Sequence, residues 1–135
     1  MGDAWVIAAA DRLLAYESDG LTAYRRTPRA VVLPKNTDEV SRVMGILSQE
    51  GVTVVPRGAG TGLSGGALAD GDAVVVGTAR MTDMLKLDPE NRLARVQPGM
   101  INANLTAVAE PYGLYYAPDP SSQSACTLGG NVAEN

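Results

Sequence analysis

The stretch VVPRGAGTGLSGGA, residues 54–67, limits what this chain can become more than any other part of it. Gly58, Gly60, Gly62, Gly65 and Gly66 alternate there with small residues and a single cation, Arg57. Residues without a Cβ reach positive φ freely and let the main chain approach a partner closely. Successive N–H groups in such a loop form a concavity suited to anions, and the hydroxyls of Thr61 and Ser64 add donors beside them. A simple chain reversal is satisfied by a glycine pair. This stretch exceeds that need, so it reads as a phosphate cradle rather than a surface turn.

The flanking elements decide which kind of cradle. AVVLP, starting at Ala30, predicts a short β-branched strand ending at Pro34. Asn36 stands as an N-cap with Glu39 at capping-box distance. Val40, Val43, Met44 and Leu47 recur at helical spacing and predict one buried stripe, and Gly51 is the natural stop. VTVV, residues 52–55, predicts a second strand. Strand, helix and strand at this spacing form a βαβ unit with parallel strands. The glycine loop then leaves the C-terminal end of a strand, where ligands sit in α/β sheets.

Gly60, Gly62 and Gly65 spell G-x-G-x-x-G. That dinucleotide fingerprint requires a helix directly after the loop, whose N-terminus meets the pyrophosphate. Here the chain runs through Ala67–Asp72 into AVVVG, another strand, and the stretch contains no lysine. Asp83 lies near the distance of a ribose-binding acid, but without the helix it gains nothing. Rossmann, Walker and small-molecule-kinase loops are therefore excluded.

Upstream, WVIAAADRLLAY (residues 5–16) is rich in alanine and leucine and predicts a helix, followed by a polar connection. Downstream, MLKLD and RLARVQPG predict a hairpin around Pro89-Glu90-Asn91, with Leu87, Leu93 and Val96 alternating. INANLTAVAE, residues 101–110, predicts a short helix closed by Pro111 and Gly113. A second small-residue run follows, YYAPDPSSQSACTLGGNVAEN, with Cys126, Leu128 and Val132 among its polar residues. It reads as a second ligand wall.

Composition removes several functions. The 135 residues contain no histidine, which takes away the commonest general base and metal ligand. With one cysteine, a zinc site and a Cys-His nucleophile are excluded within these residues. A formal charge of −4 argues against nucleic acid. No apolar run reaches bilayer length, and the first residues lack a basic signal-peptide region. One thiol fits a reducing compartment, so the cytoplasm is the expected location.

The motifs YESDGLTAY, VVLPKNTDEV, PRGAGTGLSGGA, VQPGM and YYAPDPSSQSACTLGGNVAEN, in this order, resemble the FAD-linked 2-hydroxy-acid oxidase/dehydrogenase family, within it the FAD-binding subunits of bacterial glycolate oxidases. The resemblance implies an α+β FAD-binding domain of the vanillyl-alcohol-oxidase/p-cresol-methylhydroxylase type, not Rossmann, with an N-terminal βαβ unit. Arg57, Gly58, Ala59, Gly60, Thr61 and Gly62, with Gly65 and Gly66, match the family's pyrophosphate loop. Gly99 matches a loop beside the cofactor. Pro120, Ser121 and Ser122, with Cys126, Thr127, Gly129, Gly130 and Asn131 (and Leu128 among them), match the segment along the ribityl chain and isoalloxazine. The cofactor implied is FAD, held non-covalently, and no residue of this chain receives a catalytic role.

By the same resemblance, residues 1–29 are an N-terminal helix and connection, and residues 30–135 the N-terminal part of the FAD-binding domain. The family's motif continues past Asn135, so the resemblance implies a truncated domain, inactive alone. The implied activity is oxidation of a 2-hydroxy acid, glycolate or D-lactate, to the 2-oxo acid, with electrons passing to an iron-sulfur subunit of a glycolate oxidase complex or to a membrane quinone. Association with the inner membrane would run through partner subunits. The alternative is a non-catalytic nucleotide- or partner-binding module.

Overall fold

In the computed structural model, residues 1–134 are described; Asn135, the last residue of the second small-residue run, lies outside them. The N-terminal stretch departs from expectation. Residues 5–16 do not form one helix: a 3-10 turn, Asp3–Trp5, leads into strand β1 (Val6–Ile7), then a single turn α1 (Ala10–Leu13) and a second 3-10 turn, Leu14–Tyr16. Val6 and Ile7 are β-branched, and the edge of a neighbouring sheet is open to them. They pair antiparallel with strand β2 (Ala30–Val32), Val6 opposite Val32 and Ile7 opposite Val31. Ile7 is buried there. Sheet pairing outweighs the weak helix preference of the alanines that follow.

The main sheet has the order β1-β2-β4-β3, with β3 at Val54–Arg57 and β4 at Val74–Gly77. β2 and β3 each run parallel to β4. The two strands of the βαβ unit are thus parallel, but β4 lies between them. Its VVVG sequence is buried throughout, as a central strand covered on both faces requires. β3 begins two residues later than expected and takes in Pro56 and Arg57. It is an edge strand, where a proline's missing N–H does no harm. Val31, Val75, Ile7, Leu13, Leu33, Ala69 and Ala73 form the core beneath the sheet.

Helix α2, Thr37–Gln49, starts as predicted: the Asn36 side chain accepts the Glu39 N–H at 2.9 Å. The Glu39 carboxylate, however, accepts from the Lys35 N–H at 2.9 Å rather than from the cap residue itself. Gly51, at φ 64, ends the helix, with Val52 N–H donating to the Leu47 carbonyl and Gly51 N–H to that of Ser48. The predicted stripe is less covered than expected. Val40, Val43 and Leu47 are half-buried and Met44 is exposed; the buried residue of this helix is Glu39.

Glu39 joins the N-terminal segment to the sheet. Its oxygens lie 3.8 Å from the Met1 ammonium and 3.8 Å from Arg80, whose guanidinium stacks 3.8 Å from the Trp5 ring. The Lys35 N–H bond first, then the N-terminal ammonium, Lys35 and Arg80, hold its carboxyl below the ordinary value of 4.5, against the opposing effect of desolvation. A carboxyl depressed in the folded state stabilises the fold above its unfolded value and loses that contribution as pH falls through the folded one. The thermal midpoint is therefore expected to fall as the pH drops below 4.5. Glu39→Gln should lower the midpoint at neutral pH and flatten the acid limb. Parallel melting curves of the two proteins check both, and an unchanged acid limb would remove Glu39 as its source.

Strands β5 (Met84–Asp88) and β6 (Leu93–Val96) form the expected hairpin, with a bulge between Met84 and Lys86. Leu93 is exposed, contrary to its predicted place with Leu87 and Val96. A strand alternates with period two, so Leu93 and Val96 lie on opposite faces, and Ala94 joins Val96 facing inward. Helix α3 (Asn102–Ala109) runs on into a 3-10 turn, Glu110–Tyr112, and stops at Gly113, φ 68. Met100, Leu105 and Leu128 form a second core under the hairpin. The second small-residue run, read as a ligand wall, ends in helix α4, Leu128–Glu134.

Among the described residues, no helix is long and apolar enough to cross a membrane. None of their His, Cys, Asp and Glu side chains group into a metal site.

Candidate functional site

The glycine loop leaves β3 at its C-terminal end and turns twice through left-handed backbone, at Gly60 (φ 72) and Gly65 (φ 78). A Cβ on Gly60 would stand where the Arg57 guanidinium lies, and one on Gly58 would stand on the Thr127 hydroxyl. The bare backbone at Gly58 thereby lets the second small-residue run come into contact with the first.

That second run is built from behind by α3. Asn102 is buried, and its Nδ2 donates to the Pro118 carbonyl at 2.9 Å. Its N–H donates to the Cys126 carbonyl and that of Ala103 to the Gln123 carbonyl, at 3.0 and 3.1 Å. Turns close within the run, with Cys126 N–H on the Ser122 carbonyl at 2.7 Å and Gln123 N–H on the Pro120 carbonyl at 2.9 Å. Leu128 N–H and Gly129 N–H fix the start of α4 to the Met100 and Pro98 carbonyls.

The two runs face each other across a cleft of about 340 Å³. Gly58, Ala59, Gly60, Thr61 and Gly62 line one wall; Pro120, Ser121, Ser122, Cys126, Thr127, Gly130 and Asn131 line the other. The other expected residues lie elsewhere. The Arg57 side chain is buried beneath the loop, against Tyr16, rather than in the cleft. Gly65 and Gly66 belong to the loop but not to the lining. Gly99 packs where a Cβ would meet the Thr78 and Met81 carbonyls, and Gly129 where it would meet Pro98, both behind the cleft. Leu63, Ala67 and Glu134 line it without having been expected. Leu63 and Ala67 were readable from their place inside the glycine stretch. Glu134 carried no signal, because the helix that delivers it was not foreseen.

Among the described residues, no basic side chain lines this cleft. Attraction for an anion has to come from backbone N–H groups of the glycine loop and from the Thr61, Ser121 and Ser122 hydroxyls. Asn131 adds a specific demand: its Nδ2 is buried and has no hydrogen-bond partner, so the wall lacks an acceptor there. Cys126 is a buried free thiol. Glu134 is exposed at the mouth, with Oε1 3.4 and 3.2 Å from where Cβ atoms on Gly62 and Gly66 would stand. The arrangement suits an oxygen-rich, phosphate-bearing molecule and offers no proton-transfer pair.

A larger groove of about 600 Å³ lies between the β5–β6 hairpin and residues 113–117, lined mainly by Leu87, Leu93, Leu105, Leu114, Tyr115 and Tyr116. Asp88 and Arg92 also line it, and the Asp88 carboxylate is already bonded to Lys86 and Asn91.

Comparison with known proteins agrees with the chemistry of the cleft. The chain is 50% identical over 125 residues to glycolate oxidase subunit GlcD of Escherichia coli K12, covering 93% of this chain and 25% of GlcD. It is 36% identical over 130 residues to the D-2-hydroxyglutarate dehydrogenase of Stutzerimonas stutzeri, covering 96% and 28%. It thus spans about a quarter of the length of the curated relatives it matches. Alkyldihydroxyacetonephosphate synthase superposes with TM-score 0.86 at 21% identity, covering 98% of this chain and 27% of that one. p-Cresol methylhydroxylase superposes with TM-score 0.77 at 22% identity, covering 93% and 25%. These two show the fold: a mixed sheet of this type rather than a Rossmann domain. A loop of left-handed glycines and an orphaned amide donor both fit a diphosphate-bearing cofactor. Residues 28–135 match the FAD binding domain family over most of the chain, and the chain belongs to that family.

Proposed function

We propose that the cleft between residues 58–62 and 120–131 holds the diphosphate end of FAD without a covalent link, and that residues 30–135 are the N-terminal part of the flavin domain of a 2-hydroxy-acid dehydrogenase. One observation carries the reading: two separate small-residue runs converge on a single cleft whose donors are backbone and hydroxyl groups, with an unpartnered Asn131 amide among them. At about 340 Å³ it sits at the low end of ligand pockets, enough for a diphosphate and adjoining sugar. Pro120, Ser121 and Ser122 would hold the adjoining part of the dinucleotide.

Bound FAD supplies the hydride acceptor for oxidation of a hydroxy acid to the 2-oxo acid. The residues of this chain orient it. Gly58 lets the second run close against the loop and Gly60 leaves room for the Arg57 guanidinium beneath it, Thr61, Ser121 and Ser122 donate to oxygens, and Asn131 gains the acceptor it lacks. Glycolate and D-lactate are the substrates the family resemblance favours, with an iron-sulfur subunit as electron acceptor and the cytoplasmic side of a membrane as the place of action. The absence of histidine from these residues favours a second reading, in which they bind nucleotide and leave the chemistry to another part of the protein.

Titrating the 135-residue chain with FAD tests the first reading. Flavin fluorescence should fall to a saturable limit, ADP should compete, and riboflavin should not. Denaturing the complex should release all of the flavin. Fluorescence that stays unquenched, or flavin that stays attached after denaturation, would overturn it.

Glu134 supplies a further check. Its carboxylate at the mouth opposes an incoming diphosphate, so Glu134→Gln should tighten ADP binding about two- to threefold at low salt, with the gain fading as salt screens it. An equal affinity at low salt would mean that Glu134 does not face the bound phosphates.

A further inference from the structure

Beneath the glycine loop lies a group of buried polar residues that the cleft does not use. Asp19 is 6% exposed; its Oδ1 accepts the Leu21 N–H at 2.9 Å, whereas Oδ2 is buried with no hydrogen-bond partner. Arg57 is 8% exposed. Its guanidinium lies 5.6 Å from the centroid of Tyr16 and donates one long bond, 3.4 Å, to the Ala67 carbonyl. Burial pulls the Arg57 pKa down, and the charge on Asp19 works against that fall. A buried charge with so few partners is costly, so its position calls for a functional reason.

Gly20 joins this group to the loop. A Cβ on Gly20 would stand 2.5 Å from the Thr61 carbonyl oxygen, 3.0 Å from the carbon behind it, and 2.8 Å from the Gly62 oxygen. Those are backbone atoms, which cannot swing aside as a side chain does. The oxygen being nearer than its carbon, the Thr61 carbonyl points toward Gly20. Its trans peptide then turns the Gly62 N–H the opposite way, and Gly62 lines the cleft. On the neighbouring residue, the Arg57 guanidinium fills the notch left by the absent Gly60 side chain. The segment from Tyr16 to Leu21 therefore supports three successive residues of the cradle from their far side.

We propose that Tyr16, Asp19 and Gly20 are positioning residues of the FAD site: Gly20 sets the height and tilt of the Thr61–Gly62 peptides, and Asp19 with Tyr16 holds Arg57 under Gly60. The inference rests on the flavin reading of the cleft. It also gives the N-terminal residues a part in the site, although they lie outside the 28–135 family match.

The test compares the 135-residue chain with Gly20→Ala and Asp19→Asn, each titrated with FAD and each examined by amide NMR without ligand. Gly20→Ala should weaken FAD about tenfold or more, and Asp19→Asn about three- to tenfold, because a cradle displaced by a fraction of an ångström no longer matches its ligand. In the unliganded spectra the Gly60, Thr61 and Gly62 amide peaks should move while those of Val74–Val76 in β4 stay in place. That contrast separates positioning from a general loss of fold, which would move both sets. Asp19→Asn keeps the test alive if Gly20→Ala does not fold.

If the parent chain binds FAD and both folded variants bind it equally, the positioning proposal fails while the flavin reading stands. Unmoved loop peaks overturn the proposal as well. If the parent chain does not quench FAD at all, the flavin reading fails and takes this proposal with it.

Discussion

Gly60→Val removes FAD binding, while Gly65→Val, a change of the same chemistry five residues on, leaves most of it. Both glycines hold left-handed backbone, at φ 72 and φ 78, and valine is among the residues least able to adopt it. The strain common to the two is about 1–2 kcal/mol. They differ in what the new side chain meets. Nothing lies within 4 Å of a Cβ at Gly65, whereas at Gly60 the Arg57 guanidinium already occupies the space. Valine there has to expel a buried cation or shift the loop. Displacing the guanidinium leaves the buried Asp19 without its facing cation, at several kcal/mol more, and each 1.4 kcal/mol is a factor of about ten in affinity. The expected loss at Gly60 is thus about a hundredfold or greater, with no more than about threefold at Gly65. Fluorescence titration with FAD reads the affinities, and thermal melting should show a larger loss of stability at Gly60 than at Gly65, because the displaced cation adds to the shared strain there. Equal affinities for the two would mean that the loop tolerates displacement at Gly60 and is not the cradle.

The contrast also shows which parts of the fold were legible from the residues. Local signals worked where they rested on chemistry within a few residues: Asn36 as a cap, Gly51 and Gly113 as left-handed stops, and a strand in place of a helix after the glycine loop. They failed where a distant partner decided the outcome. Val6 and Ile7 became a strand because β2 offered an edge, a fact absent from residues 5–16. β4, the most completely buried strand, lies between β2 and β3, and spacing alone does not reveal such an order. The cleft was half legible for the same reason. Small residues in two runs marked both walls, but a glycine's lack of a side chain serves equally to admit a ligand or another piece of protein. Gly58 and Gly60 line the cleft; Gly99 and Gly129 fit against backbone and proline behind it. Arg57, which the sequence left free either to add charge to the cradle or to pair with a nearby carboxylate, turned inward toward Tyr16 and Asp19, over a sequence distance that no motif spans.

Alone, the 135 residues are expected to be catalytically silent toward glycolate and D-lactate. Oxidising a 2-hydroxy acid needs a base for the hydroxyl proton, a cation for the carboxylate and a held flavin. The chain has no histidine, and no arginine or lysine among the described residues lines the cleft. The two carboxylates with displaced pKa values, Glu39 and Asp88, are both shifted downward, Asp88 by its Lys86 and Asn91 hydrogen bonds. That makes them weaker bases, and neither lies on the cleft. Dye reduction by the chain with excess FAD and either hydroxy acid should not exceed that of free FAD. The matching part of GlcD is a quarter of that protein, and half of the aligned residues are identical. A chimera carrying this chain in place of that quarter should therefore assemble the site and reduce the dye with glycolate. Introducing Gly60→Val into the chimera should abolish that turnover through loss of flavin. Substrate-dependent turnover by the 135 residues alone would place a base within them, and silence of a folded, flavin-loaded chimera would sever the hydroxy-acid assignment from the flavin one.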